Sequence, residues 1–123
     1  MSFDAFVSRL PAPTDGRSAD TVVGTAKTQP NQAGPGAHVA NASFMVDPER
    51  AGRGVGRSLA ERVLERAREL GYDGMQFNAV VATNERAIAL WTSLGFATIG
   101  RVPNGFRHAT LGPVDLLIMH RRL

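Results

Sequence analysis

Gly52, Gly54 and Gly56 alternate with Arg53 and Val55 in the stretch RAGRGVGRSL, residues 50–59. An apolar helical pattern follows at once, so the glycines open a helix. A helix N-terminus leaves four amide hydrogens without partners and carries roughly half a positive charge. Acids normally occupy its first turn. Here the first acid is Glu61, while Arg53 and Arg57 add positive charge. Each such cation costs roughly a few tenths of a kcal/mol unless an anion docks beside it. Glycines also let a ligand approach the backbone amides closely. The stretch therefore reads as a cradle for phosphate or pyrophosphate. The structural alternative is a glycine-rich connector with solvated arginines.

Other candidate groups are sparse. His108 and Arg107 sit in NGFRHATLG, where His108 offers a general base near neutrality or a contact to a substrate. A backbone-bonded loop histidine is the plainer reading. His38 and His120 read as strand residues, and the three histidines show no metal-ligand spacing. Asp115 begins a strand, and Asn41 and Ser43 can at best orient a water. The chain has no cysteine, which excludes disulfides, a catalytic thiol and thiolate metal sites.

The net charge is +3 over 123 residues, with Lys27 the only lysine. Arginine favours bidentate contact with phosphate or carboxylate. No basic run carries interleaved aromatics, so nucleic acid is not an expected partner. Arg121 and Arg122 read as a solvated tail. No apolar run approaches the roughly 18 residues of a membrane span, and no leader pattern opens the sequence. A cytoplasmic protein with no membrane partner is the expectation.

The elements that position the glycine loop follow from periodicity. One domain is expected over residues 1–123, with 1–20 weakly patterned. Residues 3–10 read as a short strand or helical turn, 11–20 as a loop, and 21–28 as a β-branched strand. A second loop, 29–37, leads to an alternating strand over 38–46, stopped by Asp47-Pro48. The first helix is predicted over 55–70, with Leu59, Ala60, Val63, Leu64, Ala67 and Leu70 on its apolar face. A buried strand follows over 74–82. Thr83-Asn84 caps a second helix that presents Ala87, Ile88, Trp91 and Leu94. FATIGRV and VDLLIMHRR read as strands separated by a loop over 103–113. The order suggests an α/β mixed sheet with helices packed on it.

Three kinds of phosphate loop fit a glycine-rich helix start. A Walker loop needs Gly-Lys-Ser/Thr, which is absent. A dinucleotide fold needs G-x-G-x-x-G and an acid ending the next strand, whereas Asp73 precedes its strand. The third is the acetyl-coenzyme A loop. VDPERAGRGVGRSLAERVLERARELGY and NERAIALWTSLGF (residues 84–96) together resemble the two signatures of the GNAT acetyltransferase superfamily, in order and at the right distance. The resemblance covers roughly residues 21–123.

The resemblance implies a mostly antiparallel GNAT-type sheet with flanking helices, here read as lacking the family's first strand and first two helices. It implies that the backbone of Phe44, Met45 and Val46 pairs with the pantetheine arm of acetyl-CoA as an extra strand. The Val46 amide would polarise the acetyl carbonyl. Amides from Gly52 to Ser58, through Arg53, Gly54, Val55, Gly56 and Arg57, would hold the pyrophosphate, with Arg53 and Arg57 reaching phosphates. Asn84 would bond the pantetheine arm or cap its helix. The reaction implied is direct attack of a small-molecule or peptide amine on the thioester. Three departures stand out. Ala51 occupies the usual Arg/Gln place. Trp91 stands where many members carry a tyrosine acid, and reads as coenzyme wall or core. The N-terminal part that walls the acceptor pocket is short, which suggests a homodimer completing it. The alternative is a catalytically weak coenzyme A-binding or regulatory module.

Overall fold

A computed structural model describes residues 4–10, 21–46 and 54–123. Its elements are β1 (Asp4–Leu10), β2 (Thr21–Pro30), β3 (Val39–Val46), α1 (Val55–Glu69), β4 (Gly74–Val81), α2 (Glu85–Ser93), β5 (Ala97–His108) and β6 (Gly112–Arg122). The strands form one six-stranded sheet in the order β1-β2-β3-β4-β6-β5. All neighbours are antiparallel except β3 and β4. A parallel pair needs a long crossover, and α1 supplies it.

Strand alternation separates the two faces of the sheet. Ala26, Ala40, Ala42, Met75, Phe77, Leu117 and Met119 are buried. They form one core with Leu59, Ala60, Val63, Leu64 and Ala67 of α1. The helix packs on β1, β2 and β3. The alternate residues Asn41, Ser43, Gln76 and Asn78 therefore lie on the opposite face. Leu70, expected on the apolar stripe of α1, instead caps its C-terminus and is half-buried.

Two expectations change. The loop anticipated over 103–113 is mostly strand. Phe106↔Val114, Arg107↔Pro113 and His108↔Gly112 continue the β5–β6 ladder. The turn signals Pro103, Asn104 and Gly105 instead form a bulge opposite Asp115, with Asn104 at φ 52°. The Asp115 carboxylate holds that bulge, accepting from the Asn104 amide at 2.9 Å and from Arg101 Nη1 at 2.7 Å. Arg121 is also no solvated tail. Its Nη1 donates to the Leu94 carbonyl at 2.6 Å, placing a cation at the C-terminal end of α2, where the helix dipole favours one. Residues 3–10 resolve to a strand from Asp4 onward, paired with β2. The expectation of missing N-terminal helices concerns the chain before Thr21, of which 1–3 and 11–20 lie outside the described residues. Among the described residues, no helix is long and apolar enough to cross a membrane.

Candidate active site

The parallel pair β3–β4 is where the sheet opens. Its strands pair only at Val39↔Gly74, Ala40↔Met75 and Asn41↔Gln76. Beyond that point β3 stays with β2 as far as Gly24↔Val46, while β4 follows β6. A bulge puts one extra residue on β4 between Phe77↔Met119 and Val80↔Leu117. Bulges bend and twist a strand, and this one carries β4 away from β3. The gap is a cleft of about 930 Å³, within the roughly 300–1,000 Å³ of small-molecule sites. Along it, those backbone N–H and C=O groups of residues 42–46 that point away from β2 have no strand opposite them among the described residues. An extended ligand arm can use that edge as a further strand would.

Two helix N-termini converge on the same cleft. Gly54 is the N-cap of α1, in the left-handed region at φ 77°, with no side-chain cap. Ser58 N–H donates to Gly54 O at 2.9 Å. The amides of Val55, Gly56 and Arg57 therefore precede the first intrahelical bond and are available to a ligand. A side chain on Gly54 would project into open space, whereas one on Gly56 would approach Leu90 Cδ2 to 3.2 Å. Gly54 thus answers a backbone requirement and Gly56 a close approach to α2. At α2, Asn84 Oδ1 accepts from Ala87 N–H at 3.1 Å and caps the helix. Its Nδ2 has no partner among the described residues and borders the cleft.

Arg57 and Arg86 both line the cleft. Arg57 Nη2 donates to Ser93 Oγ at 2.6 Å, and Ser93 in turn donates to Leu90 O at 2.7 Å. Glu61 stands 3.9 Å from Arg57 Nη1, a loose and exposed pair of roughly 0–1 kcal/mol. Neither contact neutralises the guanidinium at close range. No acidic residue stands in the first turn of α1. A dianionic pyrophosphate suits this set of three free amides and a cation.

The wall on the helix side is aromatic. Trp91 is buried, its ring 4.6 Å from Phe77 and 4.9 Å from Phe44. Phe77 also stacks on Phe96 at 4.3 Å. These rings join β3, β4 and α2 across the place where the strands part. Trp91 both borders the cleft and belongs to the core. Its indole N–H is a donor with no useful acidity.

The structure brings Phe44, Gly54, Gly56, Arg57, Asn84 and Trp91 to one cleft. Ser58 lies in the first turn of α1 and is exposed, and the backbone of Val55 begins that helix. Met45 and Val46 are placed as the end of β3. Gly52 and Arg53 lie outside the described residues. His108 ends β5 and is not among the cleft-lining residues. Its Nδ1 accepts from the amides of Thr110 and Leu111 at 3.1 and 3.2 Å, which shapes the β5–β6 turn. Sequence reasoning passed over Arg86, Asn78 and Leu90 as lining residues. Arg86 carried the same signal as Arg57, a cation in the first turn of a helix. Asn78 carried another, an amide in a buried strand, where such residues are disfavoured.

Comparison with known proteins agrees with this fold. The model of the acetyltransferase (GNAT) family matches residues 4–96. A GCN5-related N-acetyltransferase from Kribbella flavida superposes with a TM-score of 0.85 at 49% identity, over 98% of this chain and 68% of that one. A putative acetyltransferase from Salmonella typhimurium, solved with its cofactor acetyl-CoA, superposes with a TM-score of 0.73 at 28% identity, over 84% of this chain and 59% of that one. The N-acetyltransferase aca1 of Schizosaccharomyces pombe is 34% identical over 87 residues, 71% of this chain and 42% of the relative. The chain spans less than half the length of the curated relatives it matches.

Proposed function

This chain belongs to the GNAT acetyltransferase family, and on that premise we propose that it moves an acetyl group from acetyl-CoA to a primary amine by direct attack on the thioester. The observation that carries the reading is the parting of β3 from β4 after Asn41↔Gln76, with the N-termini of α1 and α2 aimed into the gap. The open edge of β3 at Phe44, Met45 and Val46 binds the pantetheine arm. The Val46 amide donates to the thioester oxygen as it gains charge, a role that in other enzymes is worth roughly 10²–10³ in rate.

The first amides of α1 and the Arg57 guanidinium hold the pyrophosphate, with Gly52 and Arg53 extending that cradle. Asn84 Nδ2 donates to the pantetheine arm while Oδ1 keeps the cap. Trp91 supplies an apolar wall and no proton. A thiolate of pKa near 8.5, with cysteine as its model, leaves acceptably without an acid. His108 would act only on an acceptor that reaches the β5–β6 turn.

Thermal shift with acetyl-CoA, coenzyme A, ATP and NAD tests the ligand. Stabilisation by the two coenzyme A species alone is expected, and stabilisation by ATP or NAD in their place would overturn the reading. Thiol release in the presence of amines then tests transfer. Tight binding without turnover on any amine would identify a coenzyme-binding module instead.

A further inference from the structure

Arg57 is the cation at the N-terminus of α1, and the far end of α2 is what holds it there. The first turn of α1 lies against α2, where a side chain on Gly56 would come within 3.2 Å of Leu90 Cδ2. One residue on, Arg57 Nη2 donates to Ser93 Oγ at 2.6 Å. Ser93 is the last residue of α2, and its hydroxyl gives its one proton to Leu90 O at 2.7 Å. The oxygen is left with lone pairs only, which suit a guanidinium and repel a phosphate. A helix C-terminus also favours a cation. The dipole of α1 thus disfavours Arg57 at its backbone, while that of α2 favours it at its tip. The same side chain has a competing partner. The Glu61 carboxylate, one turn further along α1, stands 3.9 Å from Arg57 Nη1, beyond hydrogen-bond distance. Residues four apart on a helix close readily into an ion pair. Closing this one carries the charge away from the helix N-terminus and neutralises it. The N–H groups on Nε and Nη1 have no hydrogen-bond acceptor among the described residues.

We infer that Ser93 is a positioning residue for the coenzyme: it touches no ligand, but holds Arg57 off Glu61 and toward the pyrophosphate. The inference rests on the acetyl-CoA reading and adds to it a residue that is not among those lining the cleft. An arginine loses much rotamer freedom when it closes on a ligand. With the side chain already held, less is lost at binding. One N–H of the guanidinium serves Ser93, and the others remain for two phosphate oxygens.

The experiment compares two ligands on the same variants. Calorimetry gives the Kd of acetyl-CoA. Displacement titration against it gives the Kd of S-acetylpantetheine, which has the thioester arm and no phosphate. Ser93→Ala should weaken acetyl-CoA about five-fold and leave S-acetylpantetheine within about two-fold of the wild type. Ser93→Thr keeps the hydroxyl and should bind both as the wild type does. In the Ser93→Ala background, Glu61→Gln should recover most of the lost affinity, a larger gain than the same change makes in the wild type. Ser93→Ala combined with Arg57→Ala should bind acetyl-CoA no more weakly than Arg57→Ala alone, because both changes remove the same contact. Unchanged acetyl-CoA affinity in Ser93→Ala would overturn the inference. So would an equal loss for both ligands, which marks a displaced α2, or full additivity with Arg57→Ala. Absence of acetyl-CoA binding by the wild type would instead remove the acetyltransferase reading, and this inference with it.

Discussion

Replacing Trp91 separates a core role from a chemical one. Trp91 is 7% exposed and meets Phe77 at 4.6 Å and Phe44 at 4.9 Å. Truncating a buried aromatic to alanine costs about 3–5 kcal/mol, and ring pairs at such distances add about 0.5–1.5 kcal/mol each to what burial alone provides. A domain of this size is stable by about 6–15 kcal/mol, so Trp91→Ala should remove a large share. Trp91→Phe keeps one ring in the cluster and should cost about 1–2 kcal/mol. Trp91 is the only tryptophan. Urea unfolding is therefore followed by far-ultraviolet circular dichroism, a signal that survives the substitution. The functional arm is thiol release with acetyl-CoA and an accepted amine. If Trp91 is wall and wedge only, Trp91→Phe should keep kcat within about three-fold, far from the 10²–10⁴ that loss of a general acid produces. A drop of that larger size, or a cost below about 1 kcal/mol for Trp91→Ala, would refute the core assignment.

Three further outcomes follow, two from the site and one from the β5–β6 bulge. Arg57→Glu should weaken acetyl-CoA binding at least about ten-fold in calorimetry, and the wild-type affinity should fall with added salt, as exposed charge pairing does. Asn84→Ala should cost about 1 kcal/mol in urea unfolding, because Ala87 N–H loses its cap. Asn84→Asp keeps the capping oxygen but not Nδ2, so it should hold stability while still losing coenzyme affinity; retained affinity would mean that Nδ2 does not contact the coenzyme. The Asn104 amide, and then Arg101, hold the Asp115 carboxyl below its usual range. The folded state thus binds this proton less readily than the unfolded chain, so its stabilisation is present above the ordinary carboxylate pKa and fades as pH falls through the lowered one. Asp115→Asn should be less stable than the wild type near neutrality, and the gap in urea midpoint should close on acidification.

The helices were legible because their signals are local. The spacing of Leu59, Val63 and Ala67 has one period, and Asn84 at a helix start has one common meaning. Both strands of the β5–β6 hairpin were read, but its outer part over 103–113 was not, because Pro103, Asn104 and Gly105 have the composition of a loop. The same residues make a bulge once a ladder continues on both sides of them, and that ladder depends on pairing with residues 112–116. Arg121 was misread for a related reason. Its acceptor, Leu94 O, is 27 positions away in sequence, and nothing near Arg121 announces a helix end. Likewise the bond from Asn78 Nδ2 to Asn31 Oδ1 was invisible, since the two residues meet only after β2, β3 and β4 are laid side by side.

What ties the two halves of the site together is the register of β3. Ala42 is buried under α1, whereas Asn41 and Ser43 face the other way. A slip of one residue would put Asn41 into the core and an alanine on the opposite face. Two bonds oppose that slip at one residue. The Thr28 hydroxyl, itself 1% exposed, donates to the Asn41 carbonyl at 3.1 Å. On the other side the Asn41 side chain reaches the Gln76 carbonyl. Asn41 is also the last residue of β3 paired with β4. The residue that ends the pairing is therefore the one held from both neighbouring strands. That arrangement fixes where the sheet parts, and with it the distance between the helix N-termini on one side of the gap and Asn41 and Asn78 on the other.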